Sequence, residues 1–448
     1  MKKLFGTDGI RGRANSYPIT PELALLVGKA TAKVLGGASG HKRVVLGKDT
    51  RISGYMLENA ITSGLLGMGM DVLAVGPMPT PAVAHLTKSM GAVCGIMITA
   101  SHNPACDNGI KIFAEDGFKL PDSVEMAIEK EILGGTLDSD GVEAEKIGKA
   151  YRIEDARGRY IEYTKGSIQN LSLRGLKLVL DCANGAAYSI APLIFRELGA
   201  EVIETAVKPD GLNINANCGA LHPENMGKLV REHGADAGIA LDGDADRVIF
   251  CDANGEEVNG DRIIGMLALA FQKERKLSSD TVVVTGMSNL GLNRAMKQAG
   301  IKVEFTDVGD RYVIERMRSG NFNLGGEQSG HIIFMDYATT GDGIISALHV
   351  LKHMRKSGKS LAELADFMTV FPQELRSFAV ARKIPIAELS LLSKEISECQ
   401  KALGESGRTV VRYSGTENKI RILVEAERSA DVKLWVERLS AAANRELN

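Results

Sequence analysis

The chain has 448 residues, and its 54 basic and 56 acidic side chains give a formal net charge of -2 at pH 7. This balance excludes an overall field that would attract nucleic acid or an anionic membrane, so any anionic ligand must be bound by a local cluster. The length corresponds to about three or four domains. Its 49 glycines and many short Val, Ile and Leu runs indicate alternating strands and helices.

The cysteines and the N-terminus suggest a cellular compartment. Six cysteines occur without Cys-x-x-Cys spacing, at positions Cys94, Cys106, Cys182, Cys218, Cys251 and Cys399. We interpret them as reduced core residues. The N-terminus lacks the apolar run of a signal peptide, and no run of about 18 apolar residues occurs. We therefore expect a soluble, cytoplasmic protein.

The first part of the chain predicts a helix followed by a β-α-β-α-β unit. Pro21 lies in the first turn of the helix, which we expect over residues 20–35. The unit comprises a strand at 43–46, a helix at 55–66, a strand at 72–75, a helix at 82–89 and a strand at 94–98. The last strand leads into a loop that contains Ser101 and is closed by Pro104.

The same pattern returns twice. The second copy has strands at 176–180, 201–204 and 238–241 with helices at 191–198 and 224–232, and it ends in the loop 242–247. The third copy has strands at 281–284 and 302–305 with helices at 290–298 and 312–318, and it ends in the loop 324–331. Gly-Ala-x-x-Gly-Ile stands before the first loop at 91–96 and again before the second at 234–239.

These three loops suggest one shared site. In open α/β sheets, ligands collect beyond the carboxyl ends of the strands, where glycines and helix N-termini meet anions. Three such ends facing one another would form a single cleft. The alternative is that the loops serve unrelated sites or are only turns, because loops at strand ends are surface features anyway.

The linkers predict the domain boundaries. Residues 134–149 are acidic and lack periodicity, and Phe371-Pro372 precedes a smaller part without the repeat. That part predicts strands at 378–381, 409–412 and 419–425 and helices at 386–403 and 430–444. We expect an α/β protein with three repeated mixed α/β domains around a central cleft and a smaller C-terminal α+β domain, with boundaries 1–153, 154–254, 255–370 and 371–448.

Ser101 is a candidate nucleophile that does not fit the usual serine chemistries. Its neighbours Ala100, His102 and Asn103 do not provide the Gly-x-Ser-x-Gly turn of a nucleophile elbow. We also expect that His102 cannot easily turn back onto the hydroxyl of the preceding residue. Something other than an imidazole must then activate Ser101.

The second loop predicts a metal site. Asp242, Asp244 and Asp246 alternate, and their carboxylates would repel one another unless a cation lies between them. Carboxylate oxygens are ligands for Mg²⁺ or a similar ion. An EF-hand requires Gly and Glu where this chain has Arg247 and Ala253. A solvated acidic turn remains the alternative, although apolar strand-like residues flank the loop.

A phosphate on Ser101 would join these two loops, because it would supply the metal with an oxygen and place its phosphorus beside a Lewis acid. Phosphoryl transfer depends mainly on positioning and charge stabilisation, so the serine need not be strongly activated. Lys111 could return to the same site, although a lone lysine is more often solvated.

The two remaining loops offer ligand-binding groups. Glu327 and Ser329 suit neighbouring sugar hydroxyls, and His331 is either a proton carrier or a hydrogen-bonded core histidine. In the last loop, Arg412, Arg421 and the hydroxyls around Gly415 suit a phosphate dianion. A polar hairpin with charges at the strand edge is the alternative there.

Four motifs together resemble one known family. Thr-Ala-Ser-His-Asn-Pro at 99–104, Asp-Gly-Asp-Ala-Asp-Arg at 242–247, Gly-Glu-Gln-Ser-Gly-His at 326–331 and Arg-Tyr-Ser-Gly-Thr-Glu at 412–417 resemble the phosphoserine, metal, sugar and phosphate loops of the α-D-phosphohexomutase superfamily. The opening Phe-Gly-Thr-Asp-Gly-Ile-Arg-Gly, with Val-Gly-Asp-Arg-Tyr-Val at 308–313 and Thr-Thr-Gly-Asp-Gly at 339–343, is similar to its bacterial branch that acts on glucosamine phosphates.

The resemblance implies a four-domain, heart-shaped enzyme that interconverts glucosamine 6-phosphate and glucosamine 1-phosphate on the route to UDP-N-acetylglucosamine and peptidoglycan. It implies a phosphoserine at Ser101 and one Mg²⁺ per subunit, with glucosamine 1,6-bisphosphate as intermediate and activator. The implied roles are metal binding by Ser101, Asp242, Asp244 and Asp246; catalysis by Ser101, Lys111, His331, Arg247 and Arg11; sugar binding by Glu327 and Ser329; and phosphate binding by Arg412, Ser414, Gly415, Thr416 and Arg421.

The expected partner is a small-molecule sugar phosphate, with no nucleic acid and no membrane, and a homodimer is left open. Three alternatives also stay open: a phosphoglucomutase or phosphomannomutase of the same superfamily, a phosphatase, and a non-catalytic sugar-phosphate-binding protein. The chain departs from the family pattern at Asn418, where proline is usual, and at Ala105-Cys106, where bulkier residues are usual. Neither departure removes a charged ligand.

Overall fold

A computed structural model describes residues 4–6, 8–36, 42–414 and 418–448, apart from the side chain of residue 138. The chain separates into two compact units. The first unit comprises Met1–Met287 and Gly300–Phe367, and the second comprises Ser288–Ala299 and Met368–Asn448.

The first α/β segment is built on a six-stranded sheet. Its elements are β1 (Ile10–Arg13), α1 (Pro21–Leu35), β2 (Arg43–Lys48), α2 (Ser53–Gly67), β3 (Asp71–Pro77), α3 (Thr80–Ser89), β4 (Cys94–Ile98), β5 (Asp107–Ala114), α4 (Asp122–Leu133) and β6 (Ala150–Arg152). The strand order is β1-β5-β4-β2-β3-β6. β5 runs antiparallel to β4 and β1, whereas β2 runs parallel to β3 and β4. The parallel strands therefore end together at the Ser101 loop.

Local sequence explains how the first helix begins and packs. Thr20 caps α1 by accepting a hydrogen bond from the Leu23 amide at 3.2 Å, and Pro21 follows at the first helical position. Gly28 on α1 faces α2, where an added Cβ would lie 2.5 Å from the Ile61 carbonyl oxygen. The missing side chain thus lets α1 and α2 pack closely.

The second α/β segment has a five-stranded sheet with the order β11-β10-β9-β7-β8. Its elements are α5 (Ala156–Ser167), β7 (Lys177–Asp181), α6 (Ala191–Glu197), β8 (Glu201–Thr205), α7 (Pro223–His233), β9 (Ala237–Leu241), β10 (Val248–Asp252) and β11 (Glu257–Val258). The next helix, α8 (Gly260–Lys273), packs with the third segment. β9 and β10 form an antiparallel pair joined by the acidic loop. Both strands are fully buried, so the loop between them emerges from the core.

The third α/β segment has a four-stranded sheet with the order β13-β12-β14-β15. Its elements in chain order are β12 (Thr281–Thr285), α9 (Leu290–Gln298), β13 (Lys302–Thr306), α10 (Asp310–Gly320), β14 (Leu324–Gly326), β15 (Ile332–Phe334), α11 (Gly343–Ser357) and α12 (Leu361–Ala365). α9 falls in the second compact unit, although it follows β12 in the sequence.

The C-terminal part is α+β, as expected. It comprises β16 (Gln373–Ala379), α13 (Ser390–Leu403), β17 (Gly407–Tyr413), β18 (Lys419–Ala426) and α14 (Ser429–Leu447). The three strands form an antiparallel sheet with the order β16-β18-β17. Leu392 of α13, Trp435 of α14 and Ile422 of β18 share one hydrophobic core.

The predicted β-α-β-α-β pattern is confirmed in all three segments, and several other elements were not anticipated. β1, β5, α4 and α11 were missed, β16 begins five residues before the expected strand, and α13 begins at Ser390 after a separate turn at Ile386–Glu388. α11 is buried on nearly all sides of its first three turns, so its sequence lacks an amphipathic stripe. β16 alternates between half-buried and exposed residues, which weakens its apolar pattern.

Five of the cysteines are buried, as expected for core residues, but Cys106 is exposed. That expectation was wrong for Cys106 because it lies in the turn between β4 and β5, outside the sheet. In the described parts of the chain, no helix combines the length and the apolar character that crossing a membrane requires.

Candidate functional site

The Ser101 loop and the acidic loop meet. Ser101 lies just beyond the end of β4 and is 1% exposed. Its Oγ donates a hydrogen bond of 2.7 Å to Oδ2 of Asp242, which is 141 residues away in the sequence. The expectation that these loops share one site is therefore confirmed by direct contact.

The three aspartates form a buried carboxylate cluster. Asp242, Asp244 and Asp246 each offer one oxygen, and these atoms lie within 4.8 Å of one another. Asp244 Oδ1 and Asp246 Oδ1 are buried and accept no hydrogen bond from the described residues. Burial, together with the charges of Asp246 and Asp244, raises the pKa of Asp242 well above its usual value. Hard, unsatisfied oxygens at this spacing fit a divalent cation, which would relieve that repulsion.

Lys111 of β5 brings a positive charge to the carboxylate cluster. The strand pairing sets Lys111 opposite Met97 of β4, and its side chain is 2% exposed. Its ammonium lies 2.9 Å from Asp244, 3.4 Å from Asp246 and 3.2 Å from Asp8. Burial disfavours the charged form, but the carboxylates outweigh it and raise the pKa of Lys111 above its ordinary value. The alternative of a solvated lysine is therefore wrong.

Two arginines lie beside the same cluster. Arg11 of β1 pairs with Asp8, and the main-chain amide of Arg247 donates to Asp242 Oδ1 at 3.2 Å. Burial opposes the charge on both guanidinium groups, but the neighbouring aspartates raise the pKa of each. The Nε atoms of both arginines are buried and donate to no acceptor among the described residues. Both groups can therefore still bind an anion.

The third loop reaches the cluster through His331. This side chain is 2% exposed, and its Nδ1 lies 3.7 Å from Asp246 Oδ1. Its Nε2 accepts a hydrogen bond from the Gly341 amide at 3.1 Å and lies 3.5 Å from Asp310 Oδ2. Burial lowers the pKa of His331, but Asp246 and Asp310 outweigh it, so the net shift is upward. His331 is buried like a core histidine, yet it faces the carboxylate cluster.

The predicted sugar loop is anchored by its main chain. Ser329 is exposed, and its hydroxyl donates to Glu327 Oε2 at 3.4 Å. The Val248 amide donates to the Gly330 carbonyl at 3.0 Å, and the Gly260 amide donates to the Gln328 carbonyl at 3.0 Å. These bonds attach the loop to β10 of the second segment and to the first residue of α8, and they leave the side chain of Ser329 exposed.

The predicted phosphate loop lies in the second compact unit. Arg412 of β17 stands directly opposite Arg421 of β18 in the strand register. Burial and the charge of Arg421 lower the pKa of Arg412. Ser414 is 3% exposed, and its carbonyl accepts a hydrogen bond of 2.7 Å from the ammonium of Lys383. The predicted residues Gly415 and Thr416 lie outside the described residues.

Opposed like charges across a strand pair are unfavourable unless an anion lies near them. The arrangement of Arg412 and Arg421 therefore suits an anionic group. Lys383, which sequence analysis missed, adds a third cation beside this loop.

Four models of the phosphoglucomutase/phosphomannomutase family match the chain in order: α/β/α domain I at residues 2–138, domain II at 158–255, domain III at 259–371 and the C-terminal domain at 375–442. The chain belongs to the phosphoglucomutase/phosphomannomutase family.

Curated relatives in this family match over the full length. The phosphoglucosamine mutase of Geotalea daltonii is 52% identical over 441 residues, which cover 98% of this chain and 97% of the relative. The phosphoglucosamine mutase of Syntrophotalea carbinolica is 52% identical over 448 residues, which cover 100% of this chain and 98% of the relative.

Solved structures of the family share the fold. A phosphoglucomutase/phosphomannomutase family protein from Burkholderia thailandensis has a TM-score of 0.81 and 23% identity, covering 100% of this chain and 99% of that one. An N-acetylphosphoglucosamine mutase from Aspergillus fumigatus, in complex with GlcNAc-6P and magnesium, has a TM-score of 0.69 and 20% identity. The match covers 100% of this chain and 96% of that one.

The structure corrects the interpretation of His102. Its Nδ1 lies 3.3 Å from Ser101 Oγ, so the imidazole does turn back onto the preceding residue. This is feasible because Ser101 takes a left-handed backbone conformation with φ of 51°, although no glycine flanks it. Burial, helped by Arg247 and Arg11, lowers the pKa of His102 to about 4, so the ring is neutral near pH 7.

Sequence analysis also missed several residues that support the site. Lys119 pairs with both Asp8 and Asp310, which links the carboxylate beside Lys111 to the one beside His331. Asp8 and Asp310 lie in motifs that carried the family resemblance, whereas no sequence pattern marked Lys119.

Thr80 supports the carboxylate cluster from the start of α3. Its hydroxyl donates to Asp244 Oδ2 at 2.6 Å, and its amide donates to the Asp244 carbonyl at 2.9 Å. These two hydrogen bonds from Thr80 fix both the side chain and the main chain of Asp244. The helix was expected to begin two residues later, so sequence analysis gave Thr80 no role.

Proposed function

We propose that this chain is a phosphoglucosamine mutase that interconverts glucosamine 6-phosphate and glucosamine 1-phosphate. Curated relatives of that name, which are 52% identical over the full length, support this substrate. The observation that carries the chemistry is the 2.7 Å contact between Ser101 Oγ and Asp242, because it joins a hydroxyl to a buried cluster of metal-ligand type.

In this proposal, Ser101 carries the phosphoryl group, and Asp242, Asp244 and Asp246 would hold one Mg²⁺ beside it. The fit of the residues rests on their hard oxygen atoms, two of which are buried and unsatisfied within the described chain. When bound, the ion neutralises negative charge on the phosphoryl oxygens.

The transfer step exchanges one P–O bond for another. The bond between phosphorus and Ser101 Oγ breaks as a bond forms to the free sugar hydroxyl, giving glucosamine 1,6-bisphosphate. Since its neighbours favour the charged form of Lys111, this residue stabilises charge with Arg11 and Arg247. The electron pair of the broken bond stays on Ser101 Oγ, and the proton that the sugar hydroxyl loses balances this charge. We assign that proton first to His331, whose imidazole borders the cluster.

The bisphosphate must then turn end for end, so that its other phosphate is returned to Ser101. The sugar loop with Glu327 and Ser329 must accept both orientations. The phosphate loop, comprising Arg412, Ser414, Gly415, Thr416 and Arg421, binds whichever phosphate is not reacting. A bisphosphate lost during this turn leaves Ser101 without its phosphoryl group, so free glucosamine 1,6-bisphosphate would act as an activator.

We further propose four domains with the boundaries 1–153, 154–254, 255–370 and 371–448. The product would supply UDP-N-acetylglucosamine for peptidoglycan precursors.

Intact-mass spectrometry and a substrate comparison test the proposal. We expect part of the purified protein to carry one extra phosphoryl group, and Ser101→Ala to lose it. The three 6-phosphates of glucosamine, glucose and mannose are then assayed side by side after priming with the matching 1,6-bisphosphate. The glucosamine pair should turn over fastest. Faster turnover of glucose or mannose phosphate would assign the related mutases instead, and net release of phosphate would assign a phosphatase.

A further inference from the structure

The main chain at Ser101 is held in an unfavourable conformation. Ser101 has φ of 51°, a region that residues with a Cβ seldom adopt. Such a conformation persists only where the surroundings enforce it. The Ser101 amide donates to Thr99 Oγ1 at 2.9 Å, which holds one side of the residue.

Two side chains hold the other side of the turn. Arg51 Nη2 donates to the Ser101 carbonyl at 3.1 Å and to the Asn103 carbonyl at 2.6 Å. Asn215 Nδ2 donates to the same two carbonyls, at 2.9 Å and 3.1 Å. The carbonyls at both ends of the three-residue turn 101–103 are therefore bound by one arginine and one asparagine.

Both donors are fixed by their own surroundings. Arg51 is fully buried and pairs with Asp49, whose Oδ1 also accepts from the Arg51 amide at 2.9 Å. Asn215 is 9% exposed, and its amide donates to the Ala183 carbonyl at 2.9 Å. Arg51 follows β2 of the first segment, whereas Asn215 follows β8 of the second. The turn is thus held jointly by two segments.

The acidic loop closes onto the same point. A Cβ added to Gly243 would lie 2.5 Å from the Ser101 carbonyl oxygen and 2.8 Å from Asn215 Nδ2. Gly243 separates Asp242 from Asp244, so the metal loop can approach Ser101 only because this position lacks a side chain. The side chains that hold the turn and the loop that carries the three aspartates therefore meet at the Ser101 carbonyl oxygen.

We propose that Asn215 and Arg51 are positioning residues that hold the main chain of Ser101 so that its Oγ points at Asp242. Among the described residues, their hydrogen bonds to Ser101 reach its carbonyl oxygen and not its hydroxyl. They act on the reaction through the direction of Oγ and take no part in bond making. This inference rests on the proposed mutase function.

The test uses Asn215→Ala in the full-length protein, with Asn217→Ala as its control. Asn215 and Asn217 both have left-handed backbones, with φ of 59° and 54°, so alanine carries a similar backbone cost at each. Asn217 is exposed, and only the change at residue 215 removes the hydrogen bonds to the Ser101 turn. Arg51→Lys is a weaker test because the buried charge pair with Asp49 can affect folding.

We expect Asn215→Ala to lower kcat by about 10-fold to 100-fold, because a small misplacement of a reacting atom is costly. We call Asn215 and Arg51 together the clamp. The KM for glucosamine 6-phosphate should stay within about 2-fold, since the side-chain hydrogen bonds of the clamp to the turn reach main-chain carbonyls at 101 and 103. Amide hydrogen exchange of the peptide around residues 99–108 should become faster in Asn215→Ala and stay unchanged in Asn217→Ala. The thermal midpoint of Asn215→Ala should lie below that of Asn217→Ala, because only the first variant loses two hydrogen bonds to the carbonyls of the Ser101 turn.

The outcomes separate this inference from the proposed function. Wild-type protein without phosphoserine and without turnover contradicts the mutase, and the exchange experiment then still tests the clamp. Wild-type kcat in Asn215→Ala overturns the clamp, as do unchanged exchange around residue 101 and a loss of kcat that Asn217→Ala shares.

Discussion

Ser101 Oγ donates a 2.7 Å hydrogen bond to Asp242 Oδ2, and burial together with the charges of Asp246 and Asp244 raises the pKa of this same aspartate well above its usual value. The hydroxyl thus offsets part of the repulsion among the carboxylates. A phosphoryl group on the same oxygen adds negative charge there, which makes a bound cation more necessary.

Asp242→Asn should stabilise the metal-free protein and abolish its response to Mg²⁺. Burial and the charges of Asp246 and Asp244 raise the pKa of Asp242, so its ionised form destabilises the folded state at pH 7. We expect a higher thermal midpoint than wild type in chelator, and a midpoint that Mg²⁺ raises only in wild type. Asp366→Asn, at an exposed site, serves as control. A variant less stable than wild type in chelator would contradict this prediction.

Lys111→Met should strongly destabilise the metal-free protein, with partial rescue by Mg²⁺. The lysine is 2% exposed and lies within 3.4 Å of three carboxylates, which would be left without their counter-charge. Breaking a buried ion pair by removing one partner costs about 3 kcal/mol or more. Thermal unfolding with chelator and with Mg²⁺ measures both effects, and Lys88→Met at an exposed site is the matched control. Equal midpoints for the two variants would show that Lys111 does not stabilise the cluster.

Acid should destabilise the first compact unit through His349. This histidine packs against Phe334 and Tyr337, and burial lowers its pKa to about 3, with smaller contributions from Lys352 and Lys276. The unfolded chain binds its proton near pH 6.5, so the free energy of unfolding falls as the pH drops from 6.5 towards 3, by about 2 kcal/mol at pH 5.

His349→Phe should remove that component. Nε2 of His349 has no hydrogen-bond partner among the described residues, so the substitution sacrifices no hydrogen bond at this atom. We expect the thermal midpoint of the variant to fall less than that of wild type between pH 7 and pH 5. His233→Phe, at an exposed position of α7, should follow wild type. Parallel pH curves for wild type and His349→Phe would refute the assignment.

Cys106 should be the thiol that reacts rapidly in the native protein. The other five cysteines are buried, and burial raises the pKa of Cys94 and Cys251 to about 12. Because the thiolate is the reactive form, buried thiols should react only after opening. A maleimide titration followed by mass spectrometry should show one fast addition, which Cys106→Ser abolishes. Fast labelling of a second cysteine would mean that a buried strand opens readily.

Arg412→Gln should weaken binding of the sugar phosphate without destabilising the protein. Burial and the opposing Arg421 lower the pKa of Arg412, so removing its charge relieves repulsion across β17 and β18. Loss of a charged hydrogen bond to phosphate should raise KM by about 10-fold to 100-fold. Steady-state kinetics measures the change in KM, and thermal unfolding checks that stability is kept. Arg382→Gln, at an exposed site, is the control. An unchanged KM would remove Arg412 from the phosphate site.

Local sequence predicted the parts of the site that stand where strands end. β4 and β9 are short apolar runs, and the glycines, prolines and charged residues after them mark the loops with Ser101 and Asp242. Alternating carboxylates indicated a cation without any knowledge of the fold. The elements that were missed have a weak local pattern, as in α11, which is buried on most sides, and in β16, whose residues alternate between half-buried and exposed.

The sequence by itself determined which chemical groups are present: a serine at a strand end, three alternating aspartates and a histidine after a glycine-rich turn. Only the tertiary structure decided their partners. Lys111 is buried because β5 pairs antiparallel with β4, and Thr80 reaches Asp244 across 164 residues of sequence. Strand pairing and loop contacts bring together positions that no local period connects, so the support of Asp244 by Thr80 and of Ser101 by Asn215 follows from packing alone.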